Sequence, residues 1–386
     1  MGADCVKIAP AVGIDHDFWA GRRVVVTGHT GFKGAWLSLW LQSLGADLTG
    51  LALGPPTAPS LYELADVGAH TTEHAIDVRR ADEVCEALAR VRPHVVLHLA
   101  AQPMVRRSLQ EPAMTYAVNV MGTVNVLEAV RLAAPDTRAV VVVTSDKCYE
   151  QPPDTEAQAR GGRQPRAPSR PFVEGDRLGG SDPYSSSKAC AELVTAAYRR
   201  TYFGAREGNG RASANLASAR AGNVIGGGDW GRDRLVADVA RAVERGEVLK
   251  VRNPCAVRPW QHVLNPLFGY LRLAERLARG GGQAARAWNF GPPAAEARPV
   301  SWVVSRLAEL WRGAFRWEVD ARQHPAEAAN LTIDSSAAQR ELDWSPGWTL
   351  EEGLEALVQW HEALREGQAM RAVNLTQIER FAAAIA

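Results

Sequence analysis

The stretch from Arg23 to Gly34 constrains the fold of this chain more than any other. Arg23-Val24-Val25-Val26-Thr27 is a β-branched run that reads as a buried strand, and it ends directly in Gly28-His29-Thr30-Gly31-Phe32-Lys33-Gly34. Trp36, Leu37, Leu39, Trp40, Leu41 and Leu44 then follow a helical apolar pattern that stops at Gly45. A strand, a G-x-x-G-x-x-G turn and a helix form a dinucleotide-binding opening. The glycines let the backbone approach a pyrophosphate, and the helix start offers free N–H groups and a partial positive charge. Three glycines alone would equally make a tight strand–helix turn; the flanking strand and helix favour a cofactor.

Further strands fit Leu48 to Leu53, Thr72 to Ile76, Val95 to Leu99, Ala139 to Thr144 and Ala214 to Arg220, with helices around 80–91, 113–133 and 185–202. This alternation predicts an α/β fold, a Rossmann-type doubly wound parallel sheet over residues 18–222 with 258–290 contributing. Beyond 223 the pattern is irregular, with helices near 233–245, 263–279, 300–312 and 350–365. Residues 223–257 and 291–365 are read as a smaller C-terminal α/β substrate lobe. The segment 150–182 holds Pro152, Pro153, Pro165, Pro168 and Pro171 and reads as a loop or lid.

Charge narrows the function classes. Lysine and arginine number 44 against 43 acids, so no basic excess points to nucleic acid or an anionic membrane. No apolar run approaches the about 20 residues that span a bilayer. Met1 to Asp17 does not read as a signal peptide. The five cysteines, at 5, 85, 148, 190 and 255, suggest neither a disulfide framework nor a metal site. A cytoplasmic location is the expectation.

Two segments carry chemistry. Tyr184-Ser185-Ser186-Ser187-Lys188 places a phenol and an ammonium four residues apart, on one helix face. The lysine charge is expected to lower the tyrosine pKa toward neutrality, so that the phenolate can take a proton from a sugar hydroxyl. Val143-Thr144-Ser145-Asp146-Lys147 ends the fifth strand, where open α/β sheets place their ligands. Its plain alternative is a strand-end turn with Asp146 as a cap.

The candidate cofactor contacts are Gly28, His29, Gly31, Phe32, Lys33, Gly34, Asp77, Val78, Ala100, Ala101, Gln102, Asn119, Thr144, Tyr184 and Lys188. Lys33 could meet a cofactor phosphate or solvent, and Asp77 an adenine amine or a helix start. The second strand ends in Leu53-Gly54-Pro55, without the acid that often holds the adenosine ribose, which leaves NAD and NADP both open.

These motifs, with Asn119-Val120-Met121-Gly122-Thr123 and Thr144-Ser145-Asp146-Lys147-Cys148-Tyr149, resemble the extended short-chain dehydrogenase/reductase superfamily. Within it, the segments from Arg220 to Trp230 and from Arg258 to Val263 resemble the CDP-glucose 4,6-dehydratases, with similarity from about Phe18 to His361. The resemblance implies an NAD(P)-dependent dehydration of a CDP-hexose with no net redox change. Tyr184 would deprotonate the C4 hydroxyl, Ser145 would hydrogen-bond the C4 oxygen, and Asp146, its pKa raised by burial, would protonate the departing C6 hydroxyl. Dehydratases of other nucleotide sugars carry glutamate where this chain has Lys147, so Lys147 is either a neutral C5 base or a stabiliser of the enolate.

Implied substrate contacts are Gln102, Asn223, Arg234, Arg258 and His324, the last within His324-Pro325-Ala326-Glu327. Glu174 is a further residue that could reach the sugar. The resemblance also implies a homodimer or homotetramer, with Cys190, Leu193, Val194 and Ala197 on the interface helix. The rival readings are an epimerase or a dehydratase for another nucleotide, and a catalytically silent cofactor sensor. Asp146-Lys147 argues against the epimerase, and the intact Tyr184–Lys188 pair against the sensor.

Overall fold

The computed structural model describes residues 13–151, 170–204, 214–322 and 331–386. Its centre is a seven-stranded sheet of β1 (Arg23–Thr27), β2 (Asp47–Ala52), β3 (Thr72–Ala75), β4 (Val95–His98), β5 (Ala139–Val143), β6 (Asn215–Ala221) and β7 (Ala287–Phe290). The strands lie in the order β7-β6-β5-β4-β1-β2-β3, and every neighbouring pair is parallel. The six strands expected from sequence are present, each within one or two residues. The seventh was not expected as a strand and lies within residues 258–290.

Alternating strand residues go to opposite faces. Val24, Val26, Val95, Leu97, Val141 and Ala219 pack under the helices Phe32–Ser43 and Leu264–Ala278. Val25, Val96, Val140, Val142 and Leu216 pack under the helices Ala81–Val91 and Gly122–Ala133. Both faces are covered, which is why the strands read as continuous apolar runs.

Three expectations about the elements change. The helix expected over 113–133 is interrupted by a π-helical turn, Ala117–Met121, between Pro112–Tyr116 and Gly122–Ala133. That wider turn carries the buried Asn119, used below. The lobe expected at 291–365 is smaller than assigned. Helix Ser336–Leu342 joins the sheet domain's core through Ala338 and Leu342, and the far half of helix Leu350–Arg365 does so through Trp360. A further helix, Met370–Ala384, buries Met370, Ile378 and Phe381 on the same face, and Phe381 meets Trp40 edge-on.

The loop 150–182 is described only at its ends. Its later part packs on the body of the protein: Phe172 bridges to Ile333, Tyr149 to Leu178, and Glu174 Oε1 accepts the N–H of Asn289 on the edge strand β7.

The lobe has its own apolar core. Helix Leu235–Arg245, the parallel pair Val248–Val251 and Arg316–Val319, helix Val300–Leu310 and the first half of Leu350–Arg365 supply Val239, Leu249, Val303, Leu307, Trp311 and Leu354. Thr349 and Glu352 form a capping box that starts the last of these helices. Among the described residues no helix is long and apolar enough to cross a membrane.

Candidate active site

A cleft of about 1680 Å³ runs past the carboxyl ends of the strands, between the sheet and the lobe. The glycine turn forms one part of it. Gly28 has φ +75°, and a Cβ there would lie 2.8 Å from the Ala100 backbone; a Cβ on Gly34 would lie 2.1 Å from Gly28 O. The turn therefore cannot carry side chains at either position. Gly31 caps the helix Phe32–Ser43 without a side-chain hydrogen bond, leaving the first-turn N–H groups for a ligand. These features fit a dinucleotide pyrophosphate.

A hydrogen-bonded chain fixes the floor beside this turn. Thr27 Oγ1 accepts from Leu99 N and Ala100 N, both 3.1 Å, so its proton goes to His98 Nδ1 at 2.7 Å. His98 Nε2 then donates to Thr123 Oγ1 (3.2 Å), which donates to Asn119 O (2.8 Å). Burial lowers the His98 pKa to about 3, in keeping with this neutral ring. Asn119 Oδ1 accepts from Gln102 N, and its Nδ2 donates to Gln102 O and Ser187 Oγ. The β4 loop is thus tied to the Tyr184 helix by bonds worth about 1 kcal/mol each.

Several residues expected at the cofactor serve this scaffold instead. Asn119 is 1% exposed and all its amide bonds go to protein. The Gln102 amide is engaged by Met104 and Thr115, although the residue lines the cleft. His29 turns away beneath Gly50, with Nε2 2.7 Å from Glu73 Oε1. Thr144 Oγ1 donates to Glu192. Asp77 neither caps a helix nor stands open: Arg79 clamps it through Nε, Nη2 and its backbone N–H, and that pairing holds its carboxyl below the usual range. Gly31, Phe32, Val78, Ala100 and Ala101 line the cleft.

The chemistry gathers at the ends of β5 and β6. Ser145 hydrogen-bonds the Tyr184 phenol, and Ser145 Oγ also donates to Asp146 Oδ1 at 3.1 Å. Asp146 is 3% exposed, and its Oδ2 has no hydrogen-bond partner. Gly222 makes room for it, since a Cβ there would lie 2.8 Å from that oxygen. Burial raises the Asp146 pKa, against the pull of Lys147, Ser145, Arg258 and Lys33. A raised carboxyl pKa beside an open pocket favours the form a proton donor requires.

The Tyr184–Lys188 expectation is met in position and corrected in electrostatics. Lys188 Nζ donates to Val143 O at 3.3 Å. Burial pushes the phenol up to about 12, and Lys188 is not among the causes of that shift. Burial also lowers Lys188 itself to about 8. Lys147 lines the cleft, half-buried. Lys33 joins the charged group around Asp146: burial, Arg234 and Lys188 bring it down to about 8 against Asp146 and Asp229.

The lobe side is basic. Arg258, 6% exposed, and Asn223 line the cleft, and Arg234 pairs with Asp229 at 2.7 Å. Asp233, in a left-handed conformation at φ +60°, receives Arg252 at 2.8 Å and Arg106 at 3.3 Å, linking lobe to sheet domain. Sequence reasoning missed Asp229, Asp233, Arg106 and Arg252; only the position of Asp229 inside the Gly226–Trp230 segment hinted at a role. Glu174 is committed to Asn289, away from this cleft. His324 lies outside the described residues.

The family described as GDP-mannose 4,6 dehydratase matches residues 25–357. The CDP-glucose 4,6-dehydratase of Salmonella typhimurium is 43% identical over 96% of this chain and 99% of its own length. The UDP-glucose 4-epimerase of Mycolicibacterium smegmatis is 27% identical over 88% and 98%. Among solved structures, the dTDP-glucose 4,6-dehydratase of Streptomyces venezuelae with NAD bound superposes with a TM-score of 0.71 at 21% identity, over 90% of this chain and 98% of that one. With its parallel sheet, glycine turn and strand-end acid in place, the chain belongs to the GDP-mannose 4,6 dehydratase family.

Proposed function

We propose that this protein is a nucleotide-sugar 4,6-dehydratase that turns CDP-glucose into CDP-4-keto-6-deoxyglucose and water, with NAD as cofactor. The observation that carries the reading is the meeting of the Tyr184 phenol, Ser145 and the unpartnered Asp146 Oδ2 at one end of the cleft. The 43% identity to a named CDP-glucose 4,6-dehydratase supports the choice of nucleotide.

The glycine turn and the free N–H groups of the Phe32 helix would hold the cofactor pyrophosphate, and Ala100 and Ala101 would let its flat ring lie against the backbone. When bound, nicotinamide would supply a temporary acceptor for the C4 hydride, which would reach C6 after water has left while a proton is restored to C5. Tyr184 would take the C4 hydroxyl proton as its phenolate, a form that the positive charge of a bound oxidised nicotinamide would favour against the burial that raises the phenol, and Ser145 would hold the C4 oxygen in line. The C4 ketone acidifies the C5 proton. Asp146 gives its proton to the C6 hydroxyl as water leaves, a role that needs a neutral carboxyl at working pH.

Lys147 faces the same pocket as the C5 base or the enolate stabiliser. If it is the base, Lys147→Met stops exchange of the C5 proton with solvent; normal exchange in that variant assigns the stabilising role instead. Arg258, Arg234 and Asn223 are read as diphosphate and nucleotide contacts, since a guanidinium fork suits phosphate oxygens.

The reading includes a homodimer. Leu109, Tyr116, Met121, Leu132 and Leu193 are exposed on the helices that flank Tyr184, and Ala197 continues that surface. Light scattering tests this, with a mass of two chains expected and four as the tetramer alternative. A reducing cytoplasm suits the free cysteines 85, 148, 190 and 255.

The deciding experiment is incubation with CDP-, dTDP-, UDP- and GDP-glucose, with and without NAD. Loss of one water from CDP-glucose, fastest with NAD, is expected. An unchanged mass, or a hexose epimer of the same mass, overturns the reading.

A further inference from the structure

A second cavity, of about 450 Å³, opens between the helix Pro183–Thr201, the segment 173–178 and the start of β7. It shares no lining residue with the catalytic cleft. Arg199, Arg220 and Arg286 line it, against Glu174 and Glu192, with Val173, Leu178, Ala196 and Ala287 as apolar wall. On the helix, Glu192, Ala196 and Arg199 form one stripe, next to the exposed stripe of Leu193 and Ala197 but distinct from it.

The two carboxylates are already committed. Glu174 Oε1 accepts from Asn289 N at 3.0 Å. Glu192 accepts from Thr144, from Ser218 at 2.7 Å and from Arg220 Nη2 at 2.7 Å. The guanidinium groups are not saturated in return. Arg220 is 3% exposed, yet its Nε has no hydrogen-bond partner among the described residues. Arg199 Nη1 and Arg286 Nε are likewise buried without one, while Arg286 Nη2 lies 2.7 Å from Glu341. Buried polar atoms are nearly always paired, and three idle arginine donors around one hollow leave a concentrated demand for acceptors. A tetrahedral oxyanion offers several acceptors at once.

We propose that this cavity binds the phosphate group of a small phosphorylated molecule, at a site separate from catalysis. Arg199 and Arg220 would grip the oxyanion, and the apolar wall would face the rest of the molecule. The site touches the reaction centre through one side chain: Glu192 holds Arg220 on one oxygen and Thr144, the neighbour of Ser145, on the other.

The test uses the full chain, with inorganic phosphate and glucose 1-phosphate as probes against chloride at equal ionic strength. Millimolar phosphate is expected to raise the wild-type Tm by about 2 °C, as a ligand selective for the folded state does. Arg199→Met should lose most of that rise while its turnover without phosphate stays within about twofold of wild type. Wild-type crystals soaked in selenate should show an anomalous peak within hydrogen-bond reach of Arg199 Nη1 and Arg220 Nε. This second measurement stands even if the variant folds poorly. A larger shift with glucose 1-phosphate supports a phosphorylated molecule; an equal or smaller one overturns that part and leaves free phosphate as the ligand. An undiminished shift in Arg199→Met, or no selenate in the cavity, overturns the site.

Discussion

The two walls of the catalytic cleft are built on different principles. On the sheet side, apart from Asp146 Oδ2, the polar groups are tied to one another: Thr27, His98, Thr123 and Asn119 form one hydrogen-bonded chain, and Ser145 bridges Tyr184 and Asp146. On the lobe side the polar groups are mostly arginines held by single carboxylates, Arg234 by Asp229 and Arg252 by Asp233. The first wall holds atoms to a fraction of an ångström, as chemistry demands. The second offers charge on long side chains that can shift as a diphosphate enters. Rate should therefore be lost on the sheet side and affinity on the lobe side.

Tyr184→Phe is the largest test of that division. Removing the phenol should cut kcat by about 10³-fold or more with KM little changed, measured as product formed from CDP-glucose by mass spectrometry. Asp146→Asn comes next, with an expected loss of about 10²- to 10³-fold in dehydration. In a single turnover this variant should still reduce NAD, because the first proton transfer does not use Asp146. Absence of that reduction would move Asp146 into the first step.

Arg258→Lys probes the opposite wall. Losing the planar fork should raise KM by about 10- to 100-fold and leave kcat within threefold. A fall in kcat at unchanged KM would break the comparison outright.

Acidity gives a milder effect. Lys188 sits near 8 because burial disfavours its charge, so its ammonium form is complete below that value and is lost as pH rises through it. If that ammonium is needed for the reaction, kcat/KM should fall about fivefold between pH 8 and 9, and a profile flat to pH 10 would remove Lys188 from the mechanism. Asp233→Asn should do least. Half-exposed ion pairs contribute under about 1 kcal/mol, so a few-fold change in KM is expected.

Legibility followed the same divide. The glycine turn, the strands and the Tyr184 and Ser145 segments were readable because local sequence patterns determine them. β7 was not, since Ala-Trp-Asn-Phe is a four-residue run with no alternation of its own. Helix Met370–Ala384 was missed because it buries Asn374 and Gln377 beside Ile378 and Phe381, which blurs its apolar stripe. His29, Gln102 and Asn119 were expected as cofactor contacts, but what their side chains bond to depends on residues 13 to 68 positions away. The charged group that joins Lys33 to Asp229 and Arg234 exists only once the lobe is docked.

The tryptophans carry one more consequence. Trp230 and Trp260 line the cleft, and Trp230 sits 5.6 Å from Trp360, whose ring covers Gly227. Trp36 donates to the carbonyl of that same glycine. Indoles from both halves of the molecule are thus clustered where the halves meet. Their emission should respond when either half shifts, so this enzyme carries a built-in optical reporter and ligand entry can be timed without any added dye.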